Sequence, residues 1–423
     1  MTSRLQPSAT RLDSPAALAA ILLPATVGVM TPFLSPITVG GLVDVAGWSE
    51  KEAGLLIAAE MNAFAWSGLA GIIWLNRVPW RVVSLVACFL FVFANIASCI
   101  SSNDALVLWR VLSGVGAGTL IALCYGALAQ SAKPHRNYAF FSMSQMALAM
   151  ACLTVLPVAI RLNESAESSI ASILRTLGVS DGLGMNAYFG ALAVLGGVAM
   201  MAAFWAPRRP ERPPEAAAAI SSERNIVKII ITLAMLAAIF TLMASHQSIW
   251  TYAERLGASA GIKPASLGLA LSFGTLAGFI GAFSAAAVST RINRPLVIAV
   301  IFGLHILALL ILLTNLNKTG FVIAILLHKF AWNFMIPYQL GMMAEIDRGG
   351  RAAILSTFIT SMGISAGAAV AAYAVSGFGY AGVIFASMLL AVGYFLIMQI
   401  LDARLRPANP LHSLFYRRKE QQA

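Results

Sequence analysis

Apolar runs long enough to cross a bilayer recur twelve times along this 423-residue chain. A hydrocarbon core of about 30 Å requires roughly 20 residues of helix, because no backbone donor or acceptor can be left unpaired in lipid. The runs are Ala17–Gly40, Ala53–Leu75, Arg81–Ser101, Ala105–Ala129, Tyr138–Ile160 and Met185–Ala206, followed by Ile226–Trp250, Ser266–Val288, Leu296–Thr314, Gly320–Met343, Ala353–Ser376 and Tyr380–Leu401. With 59% hydrophobic and 11% charged residues, the pattern predicts an all-α integral membrane protein with twelve transmembrane helices.

Charge gives the orientation. Of the 28 Lys and Arg residues, Arg110 and Lys329 fall within spans, and only Lys51, Arg161, Arg175, Arg255, Lys263 and Lys318 fall in one alternating set of loops. The other set, with the termini, takes the remaining twenty. Lys and Arg favour the cytoplasmic side, so both termini are expected inside, in the cell (inner) membrane. The net charge of +11 then reads as topology and implies no nucleic-acid partner; runs such as Arg417-Arg418-Lys419 either meet anionic lipid heads or form a solvated tail. The first apolar run has spanning length and no small-residue cleavage pattern, so it is expected to stay in the protein. Cys88, Cys99, Cys124 and Cys152 lie inside spans without metal-ligand spacing, so no metal, cofactor or disulfide is expected.

The chain reads as two halves. Asn76-Arg77-Val78-Pro79-Trp80-Arg81, between the second and third runs, has a worn counterpart, Thr290-Arg291-Ile292-Asn293-Arg294, in the second half. Midway lies the polar, proline-rich Pro207–Glu215. The expected organisation is a six-helix bundle over 1–206, a cytoplasmic linker over 207–224, a second six-helix bundle over 225–402 and a cytoplasmic tail over 403–423. In the outer loop 161–184, Ile170, Ile173, Leu174 and Leu177 follow helical spacing and predict a short surface helix.

Three segments carry a family resemblance. Gly71–Arg81 is similar to a loop pattern between helices two and three, Gly-x-Leu-Ala-Asp-Arg-x-Gly-Arg-Arg, with Asn76 at the Asp position and Arg77 and Arg81 at the first and last Arg. Leu108-Trp109-Arg110-Val111-Leu112-Ser113-Gly114 resembles a fourth-helix Arg-x-x-x-Gly motif, and Trp48-Ser49-Glu50-Lys51-Glu52-Ala53-Gly54 resembles a second-helix entry. Together they resemble the major facilitator superfamily. The resemblance implies two pseudo-symmetric bundles around a cavity open alternately to each side, with a binding site near mid-membrane. Drug antiporters of that family carry a glycine-rich motif in helix five, whereas Ser142–Ile160 contains no glycine.

The loop arginines have their own physics. Arg77 and Arg291, with Asn76 and Arg81, either latch the two bundles, through helix dipoles or a carboxylate across the gap, or merely enforce orientation.

Ionisable groups inside spans cost about 2.5–3.5 kcal/mol on insertion scales and so face a partner or a cavity. Arg110 and Glu60 enter their helices from the same side and, at about 1.5 Å per residue, reach similar depths. They are expected to face each other, either coupling a proton to cavity opening or forming a permanent structural pair. Helix ten is the richest. Lys329 and Asn333 form one i, i+4 pair and His328 and Trp332 another, close to Pro337. Lys329 there either meets a solute or snorkels to the surface. These four residues, with His246 and Gln145, are the expected solute contacts, and His305, Gln247 and Asn62 are weaker candidates. Gly114 and Gly118, Gly274 and Gly278, and Gly363 and Gly367 repeat at the spacing that lets helices approach closely.

The expected function is secondary transport of a small organic solute, leaning to an anion or zwitterion, by a proton-coupled monomer. Export of hydrophobic drugs or metabolites is the alternative. A non-transporting receptor and an intramembrane enzyme are further classes; against the enzyme stands the missing His-Glu-x-x-His pattern and Ser-His-Asp set. No Gly-Lys-Ser/Thr phosphate loop points to ATP.

Overall fold

The computed structural model describes residues 14–75, 77–131, 133–162, 168–179, 183–207, 226–288, 293–346 and 351–405. Asn76, Arg291, the linker arginines and the tail arginines from Arg406 onwards lie outside these ranges. Fourteen helices run through the described residues, and eleven stretches are apolar and long enough to cross a membrane. The eleventh, within α14 (Arg351–Leu405), passes through Gly379 at φ 62°, ψ −160°, a non-helical conformation. Divided there, the described residues contain twelve crossing segments, and the break falls in the gap anticipated between Ser376 and Tyr380. Leu389, Phe378, Phe283 and Val194 are each more than two-thirds exposed, which is the surface lipid requires and water does not tolerate in such quantity.

Chain contacts divide the molecule into two units, 1–215 with 262–272, and 216–261 with 273–423. In the first, the opening span is two helices, α1 (Pro15–Gly28) and α2 (Met30–Asp44), interrupted at Val29. The cause is Pro32, which has no N–H to give the Gly28 carbonyl and whose ring crowds it. The helix α3 (Glu50–Trp74) starts at a capping box in which Ser49 accepts from the Glu52 amide at 3.2 Å and Glu52 accepts from the Ser49 amide at 3.0 Å. The next helices are α4 (Trp80–Ile100), α5 (Asn103–Ala129), α6 (Pro134–Ile160), the short α7 (Ser169–Thr176) and α8 (Met185–Ala203). In α7, Ile170 and Leu174 pack on a cluster of Val158, Leu162 and Ala171, while Ile173 and Leu177 stay exposed. Arg161 closes α6 against Asp44 at 2.6 Å.

Two glycines set the distance between α3 and α5. A Cβ on Gly114 would lie on the Glu60 carbonyl oxygen, and one on Gly118 on the Phe64 carbonyl oxygen. Backbone cannot yield as a side chain can, so these glycines fix how near Arg110 comes to Glu60.

The second unit contains α9 (Ile226–Thr251), α10 (Ala253–Ser259), most of α11 (Pro264–Val288), α12 (Arg294–Thr314), α13 (Lys318–Ile346) and α14. The first nine residues of α11 cluster with the first unit. Helix α14 packs along α9, and α12 along α13. Gly363 and Gly367 of α14 sit against Met243 and Ala244 of α9, repeating in this unit the glycine-mediated approach of α5 to α3.

Candidate functional site

Each unit buries its own polar cluster. In the first, Arg110 Nη1 lies 3.7 Å from Glu60 Oε1, and the two side chains are 0% and 1% exposed. Thr31, just beyond the Val29 break, donates to Glu60 Oε1 at 3.1 Å. Arg110 Nη2 donates to Asn95 Oδ1 at 3.1 Å, while Asn95 Nδ2 donates to the Phe91 carbonyl at 2.8 Å. The guanidinium lies over the Phe189 ring, 4.9 Å from its centre. At 3.7 Å the ion pair is Coulombic and not hydrogen bonded, and Arg110 Nε and Nη1 have no hydrogen-bond partner among the described residues. The charges are neutralised without being clamped.

Of the loop residues, Arg77 is exposed, and Arg81 Nε donates to the Ala206 carbonyl at 2.9 Å, beyond the end of α8. Arg81 is therefore engaged inside the first unit. Gln145 and Asn62 are half-buried in this unit.

The second unit converges on helix α13. Its His328 meets His246 of α9 and His305 of α12, with ring centres 4.0 Å apart for His246–His305, 4.8 Å for His246–His328 and 5.3 Å for His305–His328. Trp332, one turn after His328, stacks on His246 at 5.6 Å with an 8° angle between planes and donates through Nε1 to Met243 Sδ at 3.4 Å. Lys329 is 2% exposed, and its Nζ lies 4.0 Å from the Trp250 ring centre and 4.3 Å from that of Trp332. Two indole faces thus take the place of water around the ammonium. The burial differs from the snorkelling reading of this residue. Asn333 turns its amide to the Lys329 carbonyl at 3.0 Å, against Gly278, which commits that group to the helix backbone. Gln247 similarly donates to Thr251 at 3.0 Å.

Sequence reasoning paired His328 with Trp332 and singled out His246, but treated the three histidines as separate, ranked His305 last and left out Trp250. The i, i+4 spacing of His246 and Trp250 on one helix was the available signal. The supporting partners Thr31, Asn95, Ser245 and Ser387 had none.

These observations define a polytopic helical membrane protein that keeps buried charge in each of two helical units. A family model for the Major Facilitator Superfamily matches residues 16–372, and the chain belongs to that family: it is a multi-pass membrane transporter. No curated protein matches it in sequence. Among solved structures it is similar to a D-xylose-proton symporter, with TM-score 0.66 and 15% identity over 93% of this chain and 97% of that one. It also resembles the inward-open xylose transporter of E. coli (0.65, 18%, 90% and 94%). A third likeness is to a bacterial homologue of the human drug peptide transporters (0.67, 12%, 94% and 98%). At such identities the likeness concerns the fold alone.

Proposed function

We propose that the protein carries a small organic anion or zwitterion by alternating access, drawing on the proton gradient. The observation that carries this reading is Lys329, buried in a membrane-crossing helix with its ammonium against Trp250 and Trp332. An intramembrane cation held by aromatic faces is an electrostatic anchor for a carboxylate, and the same faces accept an apolar body. His246 and His328 pack against Trp332 on the adjoining side, and Asn333 supports the backbone of Lys329.

Proton coupling is assigned to Glu60. Its loose contact with Arg110, together with the Thr31 hydrogen bond, supports a carboxyl group that exchanges a proton without dismantling a clamped bidentate pair. On this reading the chain acts as a monomer in the cell (inner) membrane with both termini in the cytoplasm, the side favoured by its surplus of Lys and Arg.

The test is uptake of a panel of labelled organic anions and zwitterions into proteoliposomes under an imposed pH gradient. Lys329→Ala is expected to lower uptake of the transported solute by at least tenfold. Glu60→Gln is expected to leave counterflow exchange and abolish the response to the gradient. Parent-like behaviour of both variants on a solute the parent transports rules the assignment out.

A further inference from the structure

We infer that His246, His305 and His328 form a binding site for one divalent transition-metal ion of the zinc class. The inference stands on the imidazole cluster and does not depend on which solute is carried. One ligand nitrogen from each of the three rings lies within 4.8 Å of the others, and the residues are 1%, 3% and 0% exposed. Nδ1 of His246, Nδ1 of His305 and both ring nitrogens of His328 lack a hydrogen-bond partner among the described residues. Buried polar atoms are seldom left in that condition. One such nitrogen from each ring can share a single acceptor of lone pairs.

Hydrogen-bond accounting supplies the second observation. Ser245 Oγ has one proton and three neighbours able to take it: the Ser387 carbonyl at 2.9 Å, Ser387 Oγ at 3.0 Å and His305 Nε2 at 3.1 Å. With that proton on the Ser387 carbonyl, Ser245 Oγ accepts from His305 Nε2. That places the His305 proton on Nε2 and leaves a bare lone pair on Nδ1, the atom with no partner. A histidine oriented through its far nitrogen so that the near one presents a lone pair is the outer-shell arrangement of metal-ligating imidazoles.

Chemistry selects the ion. Three imidazoles without a thiolate or carboxylate suit zinc, copper or nickel, and discriminate against magnesium and calcium. Metal–nitrogen bonds of about 2.0–2.1 Å in a tetrahedral site bring the nitrogens to about 3.3 Å from each other, a closure within reach of side-chain rotation. Three neutral ligands leave the double charge intact, so the open fourth position takes an anion.

The experiment uses the full chain, purified in detergent with any affinity tag removed, and titrates it with zinc and with cobalt(II). One ion per chain is expected, with the visible absorption of four-coordinate cobalt. His305→Ala and His328→Ala should weaken binding at least a hundredfold. Ser245→Ala, which removes only the orienting partner, should weaken it about tenfold to a hundredfold and serves where a histidine variant does not fold. A variant with all four cysteines changed to Ala should bind as the parent does. Labelled-zinc flux into vesicles separates the two uses of the site: an ion retained through gel filtration is resident, and one delivered to the lumen is cargo. Absence of binding, binding that survives the histidine variants, or binding lost with the cysteines overturns the inference.

Discussion

In the first unit the buried guanidinium of Arg110 faces a carboxylate at 3.7 Å and an amide oxygen at 3.1 Å; in the second the ammonium of Lys329 faces two indole rings at 4.0 and 4.3 Å. Both cations lie in crossing helices and are almost fully buried. The first cluster balances charge with charge, and its acid and base depend on each other. The second stabilises its cation through ring quadrupoles, and the three imidazoles of the same unit include nitrogens with no hydrogen-bond partner among the described residues. Charge balance makes a cluster self-sufficient, whereas aromatic faces stabilise a cation without neutralising it. This contrast is why coupling is assigned to the first unit and binding to the second.

The largest effect should come from breaking the mutual dependence in the first cluster. Arg110→Met keeps an unbranched stem, removes the charge and leaves Glu60 buried with Thr31 beside it. Removing one partner of a buried pair costs about 3–5 kcal/mol, read as lost stability in a denaturant or thermal titration of the purified protein. The double variant Arg110→Met/Glu60→Gln should recover most of that loss, because no unbalanced charge remains. If the single variant is nearly neutral and the second change recovers nothing, the pair does not hold the unit together.

How much of this was legible follows from what helical geometry transmits. Depth along a helix can be counted from its end, so Glu60 and Arg110 could be placed at one level from sequence, and the structure brings them together. The glycine spacings could be read the same way, since Gly114 and Gly118 need only lie on one face. Rotation about the helix axis, and the choice of neighbour, are set by packing between segments remote in the chain. His246, His305 and His328 lie on three helices, and no periodicity within any of them reveals that their rings meet. The interruption at Val29 was also missed, although Pro32 contains its cause, because a hydrophobic run registers length and not continuity. The loop arginines divide similarly: the Arg81 contact with Ala206 joins the start of α4 to the end of α8, a proximity invisible in either segment.

An intermediate effect tests whether Glu60 is held as an anion. Thr31→Val preserves shape and removes the hydroxyl that donates at 3.1 Å. Hydrogen bonds to charged groups contribute roughly 1.5–3 kcal/mol, so stability should fall by about 2 kcal/mol in the parent and by less in the Glu60→Gln background. The difference between backgrounds is the informative quantity, since it isolates the charge-assisted part from any change in packing beside the Val29 break. Equal losses in both would assign Thr31 to packing and weaken the contrast between a charge-balanced and an aromatic cluster.

The smallest effect is expected in the second cluster, at Ser245. The hydroxyl joins α9 to the Ser387 carbonyl of α14 and to the ring of His305 on α12, and loss of a neutral hydrogen bond of this kind costs about 1 kcal/mol. Stability alone would not distinguish the role argued for it, so the readout is the nitrogen spectrum of histidine-labelled protein. In the parent, with the Ser245 proton on the Ser387 carbonyl, His305 should hold its own proton on Nε2. In Ser245→Ala nothing selects that tautomer, and the signal should move towards a mixture while His246 and His328, whose rings make no hydrogen bond to the Ser245 hydroxyl, change little. An unaltered His305 signal would mean that the serine pair does not orient the ring, and the second cluster would then be three packed imidazoles with no preferred direction for their lone pairs.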